Sequence, residues 1–138
     1  MKRRDLKEYP FATFWKESEA EDVICNSYSA NLNMNLDLAK DIVNSRLEYT
    51  RHKPAYLLID VTNIISGTKE AREYMSDPEG GLKGILAGAF ISNKVLTTVL
   101  INLFFKINKP KVPARFFTKK EDAMAWLLKV KQANENNP

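Results

Sequence analysis

The side chains that could do chemistry are few and scattered. Asp60 ends a short apolar run, Ala55–Asp60, and Thr62 follows two positions later. An acid at the carboxyl end of an apolar strand is where open α/β sheets place their sites. Its simpler role is to satisfy the loop that follows. His52, the only histidine, stands between Arg51 and Lys53 at the end of a helical pattern, which suits a helix dipole better than proton transfer. Cys25, the only cysteine, lies in an unrelated segment, so no metal-ligand set forms and no internal disulfide can. Gly80–Gly84 is glycine-rich but lacks the G-x-x-x-x-G-K-[ST] spacing that cradles phosphate. The expectation is a non-enzymatic domain with no metal and no cofactor.

Charge is more informative than these single residues. The chain carries 21 basic and 17 acidic side chains, a formal +4. Residues 80–120 hold eight of the basic ones and no acid, whereas residues 1–79 hold 11 basic and 14 acidic. Lys94, Lys106, Lys109 and Lys111 surround one apolar-rich stretch, residues 94–107. Each basic side chain close to an anionic leaflet contributes ~1 kcal/mol of attraction. Nucleic acid would suit the same charge. However, no recognition motif is present, and Phe116 and Phe117 fall in an expected strand rather than an exposed stacking array.

The elements that must position these groups follow from periodicity. At 138 residues and 44% hydrophobic, the chain fits one domain, residues 1–138, with 1–10 and 132–138 expected to be flexible. Phe11–Trp15 and Val23–Tyr28 suggest a hairpin around the acidic turn 16–22. Ala39, Ile42, Val43 and Leu47 recur at helical spacing, and Pro54 ends that helix near His52. Ala55–Asp60 reads as a buried central strand. Thr68 is a good N-cap for a short helix to Met75. Residues 83–91 form another apolar strand, whose glycines suggest close packing against a helix. Ser92 or Asn93 would cap a third helix over 94–107, and residues 111–117 form a last strand. Thr118 and Glu121 make a capping-box pattern before a final helix marked by Ala123, Leu127 and Val130. The order ββαβαβαβα predicts an α/β fold: a mixed, mostly parallel sheet of about five strands with about four helices.

The third helix is apolar on two sides. At about 100° per residue, Leu96, Leu100, Leu103 and Ile107 form one face, flanked by Val99 and Phe104. That face is expected to point inward. Ile101 and Phe105 then lie opposite, as surplus apolar surface. Three things could cover them: neighbouring elements, a second subunit in a homodimer, or a ligand or membrane surface. The longest apolar run, even extended to Ile107, spans ~20 Å as a helix against ~30 Å for a bilayer core. No apolar h-region follows the basic N-terminus. With one cysteine, a cytoplasmic location is expected, peripheral to a membrane at most.

Several segments together resemble the SpoIIAA-like (STAS-like) domain family. They are the acid-ended strand YLLID (56–60), the amphipathic NKVLTTVLINLFFKI (93–107) and the closing ARFFTKKEDAMAWL (114–127). The resemblance covers nearly the whole chain after Phe11. It implies a single SpoIIAA/STAS-like domain that binds rather than catalyses. Family members that antagonise anti-sigma factors bind a kinase-like protein partner and are switched by phosphorylation of a serine after the acid-ended strand. Here Thr68, Lys69 and Glu70 occupy that place, with Ser66 and Thr68 as substitutes in the loop from Asp60. The SpoIIAA-like branch implies instead an apolar small molecule or an anionic membrane surface, met through the third helix. The site residues expected on that basis are Leu96, Val99, Leu100, Ile101, Phe104 and Phe105, with Lys94, Lys106, Lys109 and Lys111 as anchors.

Overall fold

The structure is a computed structural model and describes residues 2–137. Its elements in order are β1 (Arg4–Glu8), β2 (Ala12–Lys16), β3 (Val23–Tyr28), β4 (Leu32–Met34), α1 (Leu36–Tyr49) and β5 (Ala55–Asp60). There follow β6 (Ile64–Gly67), α2 (Lys69–Met75), β7 (Ile85–Ile91), α3 (Val95–Ile107), β8 (Ala114–Phe117) and α4 (Lys120–Asn136). Six strands form one sheet in the order β1-β2-β3-β5-β7-β8, and β4 and β6 make a separate two-stranded pair. Pairing is antiparallel from β1 to β3 and parallel from β3 through β5 and β7 to β8. The expected α/β architecture is present, with strands added. β1 and the last turn of α4 occupy segments expected to be flexible. β1 reads RDLKE and has no apolar alternation; it exists because β2 offers it an edge.

The sheet carries a layer on each side. α1, α2 and α3 cover the face shown by Ile24, Leu57 and Ile59. α4 alone covers the other, where Ala123 and Leu127, both 0% exposed, lie against Ala87 and Ala89. α1 starts where the Asn35 side chain accepts the Leu38 amide at 2.8 Å. It ends as Arg51 and His52 turn left-handed, at φ 55° and 60°, ahead of Pro54. Buried Arg46 donates to the carbonyls of Lys83 and Gly81, at 2.8 and 3.1 Å, and so ties the loop before β7 to this helix. α4 corrects one expectation. It begins one residue late, with Lys119 at the N-cap, so Thr118 does not cap it. α3 likewise starts from Lys94 with no side-chain cap; Ser92 Oγ accepts the Lys94 amide instead.

α3 is turned the opposite way from the expectation. Thr97 and Ile101 are buried and Leu100, Phe104 and Phe105 half-buried. Val95, Leu96, Val99, Leu103 and Ile107 stand 81, 63, 50, 49 and 68% exposed. Two contacts fix this rotation. The Thr97 hydroxyl donates to the Thr62 carbonyl at 3.2 Å, and the Phe105 ring meets Phe90 of β7 edge-on at 5.1 Å. The aromatic side is thus the inner one and the leucine side faces out. Ile101→Ala should cost about 2–4 kcal/mol in urea unfolding, whereas Leu103→Ala should change stability by no more than about 0.5 kcal/mol. The reverse ranking would mean that the helix sits on its leucine face.

Candidate functional site

Between α3 and the sheet lies an apolar cavity of 160 Å³. Its floor comes from alternate residues of the parallel strands, Ile59 of β5 and Gly88 and Phe90 of β7. Leu100, Ile101 and Phe104 form its roof, and Met34, Met75 and Ile64 part of its wall. Gly88 pairs with Ala114 on β8, so two small residues sit side by side on the floor. A Cβ at Gly88 would meet the Phe90 ring at 3.3 Å. The glycine therefore opens the cavity rather than seating a helix, contrary to the sequence expectation; the close helix contact falls on Ala87 and Ala89 instead.

The expected site residues divide between the two sides of α3. Leu100, Ile101 and Phe104 line the cavity, and Phe105 packs behind them on Phe90. Leu96 and Val99 do not belong to that lining and face outward. Lys94, Lys106, Lys109 and Lys111 are all exposed, and among the described residues none of them has a carboxylate within 4.0 Å. Lys94 and Lys106 lie at the two ends of the outer apolar stripe, whereas Lys109 and Lys111 adjoin Pro110 and Val112, which line the cavity.

The loop candidates fall in separate places, with only Asp60 and Thr62 brought together. Asp60 Oδ1 accepts the Thr62 amide at 2.9 Å, the loop-satisfying role. Both residues line a second, polar cleft of 310 Å³ at the carboxyl ends of the parallel strands, together with Ser92, Thr118 and Lys120. Behind this cleft, Trp15 Nε1 donates to Glu17 Oε2 at 2.7 Å, and Lys120 pairs with the same carboxylate. Burial works to raise the Glu17 pKa, but these two donors hold it below the usual carboxylate value. Ser66 lies instead at the apolar cavity, where its hydroxyl donates to Asn33 Oδ1 at 2.5 Å. Thr68 Oγ1 accepts the Ala71 amide at 3.1 Å and caps α2. Cys25 is buried under α4, and burial pushes its thiol up to about 12, which suits packing and not nucleophilic work. Among the described residues no group of three His, Cys, Asp or Glu could hold a metal ion.

Sequence reasoning missed Gly88, Ala114, Tyr28 and Arg72, all of which line the cavity. A usable signal existed for the first two: small residues where adjacent parallel strands would otherwise carry large apolar ones. Tyr28 and Arg72 reach the site only because β3 and α2 are folded against it.

Comparison with known proteins gives the fold more firmly than the chemistry. The structure is similar to that of an uncharacterized protein from the DUF3478 family with a SpoIIAA-like fold from Shewanella loihica PV-4. The two are 18% identical over 81% of this chain and 89% of that chain, with a TM-score of 0.56. The likeness shows the fold, and the chain has the SpoIIAA-like architecture. No curated protein matches. A family model matches residues 14–131, which take in the cavity, α3 and the core of α4, and the chain belongs to that family, a domain of unknown function (DUF7793).

Proposed function

We propose that this chain is a non-enzymatic binding domain that holds an apolar ligand beneath α3. The cavity carries the reading. At 160 Å³, with an apolar lining and one side open to solvent, it is on the scale of the ~150 Å³ apolar space that accepts a benzene-sized group. The roof helix itself buries only Thr97 and Ile101. Titration with 1-hexanol, followed by methyl NMR, should shift Ile59, Ile64, Ile101 and Met75 and leave Leu127 on the far face unmoved. Ala114→Phe, which fills the floor, should abolish those shifts. No shift at saturating hexanol would sink the reading.

A second reading rests on the outside of the same helix. Val95, Val99, Leu103 and Ile107 repeat at intervals of four, with Leu96 beside them, and form a continuous exposed stripe. Unpaired Lys94, Lys106, Lys109 and Lys111 flank or follow it. An apolar stripe among unpaired cations complements an anionic bilayer surface, where the stripe enters the interface and the lysines meet headgroups. Co-sedimentation with phosphatidylserine-containing vesicles should therefore succeed, weaken at least about tenfold between low and high salt, and fall similarly in Leu103→Glu. Equal binding to neutral vesicles, or none to anionic ones, would count against membrane association.

A further inference from the structure

The lining of the apolar cavity contains no carboxylate, no lysine and no histidine, but it does contain one permanent charge, Arg72. Arg72 lies in the last turn of α2 and is only half-buried. One Nη1 proton is committed to the Gly67 carbonyl at 2.7 Å, and Gly67 itself lines the cavity. No carboxylate lies within 4.0 Å of the guanidinium among the described residues, so its other N–H donors have no anionic partner. Several other cations of this fold are matched by carboxylates or carbonyls, and the lysines around α3 stand exposed outside the lining. Lys131 meets Asp22 at 3.0 Å and Lys7 meets Glu48 at 2.9 Å, while buried Arg46 spends two nitrogens on carbonyls. Arg72 is held by a backbone carbonyl and is itself the charged side chain of the cavity lining.

From this we infer that the ligand is a short amphiphile with an anionic oxyacid head. The head takes the open edge of the Arg72 guanidinium, and the tail lies among Ile59, Phe90, Ile101 and Phe104. A guanidinium presents its donors in a planar fork that matches the two oxygens of a carboxylate. The Gly67 bond fixes that fork in advance, so binding does not have to order a free side chain. The Ser66 hydroxyl is engaged with Asn33, and the Tyr28 hydroxyl carries no charge, so Arg72 is the group in the lining that tells an anionic head from a neutral one. Tail length is set by volume: 160 Å³ accepts a chain of about six carbons, comparable in size to benzene. This inference rests on the apolar-ligand reading above and adds the charge and class of the ligand.

The test compares three probes with one tail, namely hexanoate, 1-hexanol and hexylammonium, on the full chain at neutral pH. Hexanoate should bind at least about tenfold tighter than hexanol, and hexylammonium weaker than hexanol. Arg72→Gln should bring hexanoate to within about twofold of hexanol while hexanol affinity holds, which also reports that the cavity remains folded. Arg72→Lys should keep part of the preference. Equal binding of hexanoate and hexanol, a preference that survives Arg72→Gln, or tight binding of hexylammonium would overturn the anionic-head inference and leave the cavity reading intact. Failure of all three probes to bind would overturn both.

Discussion

Three consecutive small residues on β7, Ala87, Gly88 and Ala89, govern how near each helical layer can approach the sheet. β7 lies between β5 and β8, so its side chains stand between the sheet and the helices on both faces. Ala87 and Ala89 point to one face and let α4 settle directly on the backbone, with Ala123 and Leu127 fully enclosed. Gly88 points to the other face, where α3 is kept at a distance by the Phe90 and Phe105 rings. The same run of small residues thus produces a tight layer on one side and a hollow on the other. Close packing and its local failure share one cause.

That asymmetry explains why α3 differs from the other helices. α1 has an asparagine cap, a buried face of six residues and an arginine tied into the loop before β7. α4 buries Ala123 and Leu127 without exposure and binds Asp22 through Lys131. α3 has neither side-chain cap nor ion pair among the described residues, and it is seated by Ile101, the Thr97 bond and one pair of aromatic rings. Its outer stripe of Val95, Val99, Leu103 and Ile107 contributes nothing to the domain's own core. A helix with apolar side chains on both sides and basic residues around it is costly to keep in water unless both surfaces have uses.

Much of the layered fold could be read from local patterns, because its signals lie within single elements. The buried strand Ala55–Asp60, the Thr68 cap and the inner face of α1 each follow from residues a few positions apart. The added strands depend on partners distant in sequence. β1 is a charged pentapeptide made into a strand by β2, and β4 is three residues held by β6. The direction of α3 was hidden for a different reason. Both of its faces are apolar, so periodicity alone gives two equivalent answers, and only Phe90 and the Thr62 carbonyl choose between them. Of the site, the roof residues and the lysine cluster were visible as composition. Gly88 was visible only as one of the glycines expected to pack against a helix, and Arg72 acquires its meaning only from the hollow beside it.

The loosely tied roof has a kinetic consequence. The floor of the cavity belongs to central strands bonded on both sides, and such strands open only when the whole domain does. The roof can lift by giving up the Thr97 bond, the Phe105–Phe90 contact and the burial of Ile101 while the sheet stays intact. Residence time in the cavity is then a property of α3 more than of the pocket walls. Anything that grips the outer stripe Val95–Ile107 will change how fast the interior fills and empties, with no contact to its contents.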